Sequence, residues 1–242
     1  ALHTYSMIHP EADLYAHDIH FTGKSSSFKV TYEGKDYDFE TRLAGRFNVY
    51  NTLGAVGACL SEGVPMETIV EGMRDFKSVP GRFELIDEGQ PFTVVVDYAH
   101  TPDGLEKILT TAEEITKGRI IVVFGCGGDR DRMKRPIMGR IAARNADIAL
   151  VTSDNPRTED PASIVKEVAA GVEEVKKEKP SLSYEVIVDR RSAICRAIEL
   201  AKPGDIVLIA GKGHENYQIL KDKTIHFDDR EEARKALKLK EK

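Results

Sequence analysis

The chain has 242 residues and little cysteine. Cys59, Cys126 and Cys195 stand far apart, with no C-x-x-C pair. That excludes a small disulfide-stapled domain and makes a reducing compartment, the cytoplasm, the expected location. A basic excess is missing too. The net charge is -5 and the pI near 5.9, so nucleic acid is not an expected partner. No apolar run approaches the roughly 20 residues that span a bilayer, so no membrane partner is expected. The start, "ALHTYSMIHPEADLYAHD", has no basic stretch followed by an apolar core, so it is not a secretion signal. It does not begin with Met either, and the chain reads as a fragment. Internal repeats and low-complexity tracts are absent.

What is present is a normal globular composition, 41% hydrophobic and 31% charged, enough for one large domain or two ordinary ones. Residues 1–45 read as β-rich, with a hairpin around "EGKD". Residues 46–76 read as helical. Val49, Leu53, Val56 and Leu60 fall at helical spacing, and Gly63 suits a C-terminal cap. The turn-rich "KSVPGRFELIDEGQP" places a domain boundary near residue 89, giving domains of 1–88 and 89–242.

Beyond it, strand-like runs ("FTVVVDYA", "GRIIVVFG", "ADIALVTSD", "SYEVIVD", "GDIVLIAGKG") alternate with helical segments. Near-continuous Val/Ile runs separated by helices predict an α/β fold: a Rossmann-like, mostly parallel sheet covered on both faces. "KTIHFDD" is expected to add a last edge strand, and "REEARKALKLKEK" to form a solvated helix end. Ligands of such sheets sit at the carboxyl ends of the strands. That rule selects "DYAHTPDG", "FGCGGDRDR", "TSDNPRTEDP" and "AGKGHEN".

Each segment has a bland reading and a chemical one. Gly125, Gly127 and Gly128 can bring backbone close to a ligand or form a tight turn. They fail the dinucleotide fingerprint, whose third glycine would fall at Arg130. That argues against an NAD- or NADP-dependent enzyme. Cys126 reads as a small turn residue rather than a nucleophile. Gly211, Lys212 and Gly213 are no phosphate loop, because no Ser or Thr follows the lysine. Glu215 could face Arg130 or Arg157 as a plain ion pair. Asp97 could accept from ribose hydroxyls, and Tyr98 or His100 could stack on a base. A capped turn, with Asp103 as helix N-cap, is the alternative.

In "TSDNPRTEDPASIV", Asp160 and Pro161 fit N-cap and N1 of the next helix, and Pro156 holds Asn155 extended. Asp154 and Arg157 stay unexplained. A guanidinium fork suits a carboxylate and a carboxylate suits an ammonium, so the pair could grip a zwitterionic amino-acid group.

The ordered segments "GRFNVYN", "PGRFE", "DYAHTP", "FGCGGDRDRMKRP", "DNPRTEDP" and "AGKGHE" resemble the Mur ligase family over nearly the whole chain, and within it the branch that adds meso-diaminopimelate. The resemblance implies an ATP-dependent acid–amino-acid ligase of peptidoglycan synthesis. It would work through an acyl phosphate that the incoming amine attacks. Residues 1–88 would be the end of the central ATP-binding domain, and 89–242 the C-terminal Rossmann-like domain.

It further implies ATP contacts at Asn48, Asn51, Arg82 and Asp97. The meso-diaminopimelate set would be Arg130, Asp154, Asn155, Pro156, Arg157, Gly211 and Glu215. The arginines would take the far carboxylate, and Asp154 and Glu215 the far ammonium. Lysine lacks that carboxylate and would leave Arg157 unpaired, and lysine-adding relatives usually lack this arginine.

Substrates would be UDP-N-acetylmuramoyl-dipeptide, meso-diaminopimelate and ATP with Mg2+, handled by a monomer. The family's G-x-x-G-K-T loop, its metal ligands, its carbamylated lysine and its UDP-sugar domain have no counterpart in these residues. The chain is therefore expected to hold no catalytic or metal-binding residue and to be inactive alone. Two other readings stay open: a non-catalytic amino-acid or nucleotide-binding module, and an L-lysine-adding ligase of the same family.

Overall fold

The computed structural model describes residues 3–22 and 25–240, which form two compact units, 1–78 and 79–242. The division falls ten residues before the expected 88/89 boundary. The reason is local. Residues 84–85 are already a strand of the second unit, paired with residues 95–96.

The first unit is a four-stranded sheet, β1 (Tyr5–Ser6), β2 (Leu14–Phe21), β3 (Ser26–Tyr32) and β4 (Lys35–Thr41), with helices α1 (Arg46–Ser61) and α2 (Met66–Asp75). The "EGKD" hairpin is the β3–β4 turn. Tyr32 pairs with Lys35, and Glu33 and Gly34 both take positive φ, +49° and +75°, as a two-residue hairpin turn demands. The apolar stripe of α1 (Val49, Leu53, Val56) meets Leu14, Ala16, Phe28, Val30 and Phe39 from the sheet. Gly63, at φ +79°, ends α1 by donating to Leu60 O.

The second unit contains β5 (Glu84–Leu85), β6 (Thr93–Asp97), α3 (Pro102–Ile115), β7 (Ile120–Phe124), α4 (Lys134–Asn145), β8 (Ile148–Val151), α5 (Pro161–Glu178), β9 (Ser183–Val186), α6 (Arg190–Leu200), β10 (Ile206–Ala210), β11 (Tyr217–Ile219), β12 (Thr224–His226) and α7 (Asp229–Lys240). The main sheet runs β5-β6-β10-β7-β8-β9 and is parallel except for β5. β6, β7, β8 and β10 are wholly or almost wholly buried, as strands covered on both faces must be. Alternate residues (Val94, Val96, Ile121, Val123, Val207, Ile209) pack on α6 and α7 through Ile194, Ile198 and Leu237.

Three expectations change. "KTIHFDD" adds no strand to the main sheet; β12 pairs with β11 in a separate hairpin. The C-terminal helix is not merely solvated, because Ala233, Ala236 and Leu237 belong to the core. α3 is capped by Thr101, whose Oγ1 accepts from Gly104 N, not by Asp103. The reading of α5 stands: Asp160 Oδ2 accepts from Ser163 N at 3.0 Å, with Pro161 next.

Candidate amino-acid site at the strand ends

β10 enters the sheet between β6 and β7, so the chain reverses direction across the sheet there. The loops leaving β6, β7, β8 and β10 open at that point, where such sheets bind ligands. They line a cleft of about 440 Å³. Arg130, Asp154, Asn155, Arg157, Gly211 and Glu215 share it with Tyr98, His100, Asp131, Lys134 and Tyr217. All four segments selected by the strand-end rule contribute to its walls.

The glycine-rich turn is accounted for by packing on protein. A Cβ on Gly125 would lie 2.2 Å from Thr152 O, and one on Gly128 only 1.9 Å from Pro156 O. Gly128 N donates to Asn155 O at 2.9 Å. Gly125 and Gly128 let backbone approach the "DNPR" loop, which is the tight-turn reading, while Gly125 and Gly127 also line the cleft. Pro156 does not line the cleft; its carbonyl is turned against Gly128. Cys126 is buried, and burial pushes its thiol up to about 12, so it is no nucleophile.

The "DNPR" loop is fixed from both sides. Asp154 is buried, and its Oδ1 accepts from Asn155 N at 2.6 Å. Its Oδ2 sits where a Cβ on Gly211 would be, 2.6 Å away, and Gly211 has φ +122°, so only glycine fits there. The β11–β12 hairpin backs the loop: Gln218 Nε2 donates to Asp154 O, Ile219 N to Asn155 Oδ1, and Arg157 N to Ile219 O.

Arg157 adopts φ +52°, and its Nη1 donates to Gly128 O at 2.9 Å. Among the described residues only Nη1 is spent on carbonyls, which leaves the Nε–Nη2 edge for an anion. Arg130 is exposed at the rim and donates to Asp129 O. Glu215 pairs with neither arginine. Its Oε2 accepts from Lys212 Nζ at 3.1 Å and Asn155 Nδ2 at 2.9 Å.

The expected nucleotide residues lie elsewhere. Asp97 does not line the cleft. Its two oxygens accept from Phe83 N and Ala99 N, both at 2.7 Å. Burial pushes this carboxyl above its usual range, and the two amides and Arg82 pull it partly back. Arg82 is exposed, with its guanidinium 4.9 Å over the Tyr98 ring, which also meets His100 and His214. In the first unit, Asn48 is buried at the start of α1 and donates to Ala44 O; Asn51 is exposed and donates to Asn48 Oδ1.

Sequence reasoning missed three buried cations, Arg135, Lys212 and Arg190. Lys212 is fully enclosed. Arg190 is fully enclosed too. It makes a two-pronged pair with Asp229 at 2.7 and 2.8 Å and donates to Ser153 O and Ala210 O at the ends of two sheet strands. A cation directly after the all-apolar run "IVLIAG" was a usable signal for Lys212. Nothing in "DRRSAI" marked Arg190.

Two family models match. Residues 81–213 match the glutamate ligase domain of Mur ligases, more than half of the chain, and residues 1–59 match the Mur ligase middle domain. The chain belongs to the Mur ligase family. It is 49% identical over 233 residues to the UDP-N-acetylmuramoyl-L-alanyl-D-glutamate–2,6-diaminopimelate ligase of Clostridium botulinum, covering 96% of this chain and 47% of that protein. The corresponding ligase of Geobacillus kaustophilus is 49% identical over 236 residues, covering 97% and 47%.

A solved structure of such a ligase superposes with TM-score 0.75 at 38% identity, over 99% of this Mur ligase chain and 48% of the other. MurF of Thermotoga maritima in complex with ADP gives TM-score 0.63 at 13% identity, over 98% and 48%, a likeness of fold alone. This Mur ligase chain thus spans about half the length of the relatives it matches. Among the described residues no helix is long and apolar enough to cross a membrane.

Proposed function

We propose that this chain is the part of an ATP-dependent Mur ligase that receives the incoming amino acid, and that the amino acid is meso-diaminopimelate. The intact protein would join it to UDP-N-acetylmuramoyl-L-alanyl-D-glutamate through an acyl phosphate, in the cytoplasm, as a monomer.

The observation that carries this reading is the joining in one cleft of two arginines, Asp154, Asn155 and Glu215. Arg157 with its free Nε–Nη2 edge, and Arg130 at the rim, suit the far carboxylate. Asp154 and Glu215 suit the far ammonium. The chain's own residues bind and orient the amino acid; no bond-making group is assigned to them.

Asn48, Asn51, Arg82 and Asp97 are proposed to serve the nucleotide. Arg82 and the Tyr98 ring offer a stacking surface, and Asp97 acts by holding the backbone at Phe83 and Ala99. Mg2+ would accompany ATP. Among the described residues no group of three or more His, Cys, Asp or Glu stands together as a metal cluster.

The test is an ADP-release assay on the intact protein with UDP-N-acetylmuramoyl-L-alanyl-D-glutamate. Release should depend on meso-diaminopimelate, and Arg157→Ala should raise its KM about tenfold or more, the effect of losing a charged hydrogen bond. L-lysine serving equally well would replace the assignment with the lysine-adding one. Nucleotide or amino-acid binding without turnover would favour the non-catalytic module.

A further inference from the structure

Lys212 lies two residues beyond the end of β10, and its side chain is 0% exposed. An ammonium taken fully out of water persists only where anions and acceptors replace its hydration. Here those are Asn155 Oδ1 at 3.2 Å and Glu215 Oε2 at 3.1 Å, with the Tyr217 ring 5.4 Å away. Asn155 Nδ2 closes the ring by donating to the same Glu215 Oε2 at 2.9 Å. Asn155 is itself pinned by Ile219 N, which donates to its Oδ1 at 2.9 Å. Both donors to Glu215 end on Oε2, so Oε1 takes no part in the ring.

The consequence is electrostatic. Three cations (Arg130, Lys134, Arg157) and three anions (Asp131, Asp154, Glu215) line the cleft. Lys212 adds a fourth cation directly behind Glu215. Glu215 therefore meets any ligand with its charge already matched from within the protein. A zwitterionic end group brings its own carboxylate and adds no net charge. A lone ammonium adds a further cation beside Lys212 and brings no anion of its own.

We propose that Lys212 is a specificity-positioning residue: it holds Asn155 and Glu215 in one arrangement and, by its charge, makes the cleft reject side chains that end in a lone ammonium. This inference rests on the proposed meso-diaminopimelate reading. It adds a determinant that touches no substrate itself and acts from behind Glu215.

The experiment compares kcat/KM for meso-diaminopimelate and for L-lysine in the intact protein, wild type against Lys212→Gln and Lys212→Met. Glutamine keeps a donor for both acceptors and removes the charge. Both variants should narrow the ratio of diaminopimelate to lysine at least fivefold and raise the KM for diaminopimelate, with the KM for ATP within twofold of wild type. If the methionine variant does not fold, the glutamine variant decides the question alone. An unchanged ratio in a folded variant, or an equal loss toward ATP and both amino acids, overturns the proposal while leaving the diaminopimelate reading intact. A wild-type protein with no diaminopimelate-dependent turnover overturns that reading and this inference with it.

Discussion

Glu159 shows how single side chains hold the site's frame from outside the cleft. Its carboxylate accepts from both Nη atoms of the enclosed Arg135 and from Asp129 N, so it joins α4 to the turn before Arg130. The Arg135 hydrogen bonds first, and the Asp129 amide second, hold its carboxyl down to about 2, from an ordinary 4.5. The folded state therefore favours the ionised form. The stabilisation is complete above the ordinary pKa and is lost as pH falls from about 4.5 toward 2. Urea unfolding of wild type and Glu159→Gln should show a stability gap that is widest at neutral pH and closes over that acid window. A gap that stays constant down to pH 2 would separate Glu159 from the acid response.

At the scale of elements, the cleft depends on close approach of backbones. α4 and α5 cross where Gly139 and Gly171 meet: a Cβ on Gly139 would stand 2.2 Å from Val168 O, and one on Gly171 2.0 Å from Pro136 O. Both obstacles are backbone, so the helices themselves would have to part. Gly171→Ala gains about 1 kcal/mol of helix propensity but meets an overpacking cost of about 1–3 kcal/mol or more. We expect net destabilisation, read as a lower urea midpoint with unchanged slope. Equal or greater stability would mean the helices can separate without cost. The same reasoning explains Gly125 and Gly128 of "FGCGG", which face Thr152 and Pro156. A nucleotide-loop pattern and a loop-packing pattern look alike in sequence because both require the missing Cβ. Only the neighbour tells them apart.

At the scale of the molecule, each unit has a core of its own. The second unit buries Val94, Ile121, Leu150, Ile209 and Leu237 in one cluster, and the first buries Leu14, Phe28, Leu53 and Val56 in another. Residues 79–242, produced alone, should therefore fold and unfold in a single cooperative transition with dispersed amide resonances. A poorly dispersed spectrum would show that this core needs the preceding residues. The start point matters: a fragment cut at residue 89 loses β5 and Phe83, whose amide satisfies Asp97.

The alternation of Val/Ile runs with helical segments determined the parallel sheet by itself, because strands buried on both faces have no polar side to show. The strand-end rule then picked four loops whose residues do meet in one cleft. The caps at Gly63 and Asp160 were legible because capping is a local matter of φ and one side-chain oxygen. The tertiary structure decided the rest. It put "KTIHFDD" into a separate hairpin, because strand pairing is a choice among distant partners. It turned Pro156 toward Gly128 and moved Glu215 from an arginine to Lys212. Charges in a run of sequence do not declare which of them the fold will remove from water, and burial is what gives a charge its partner.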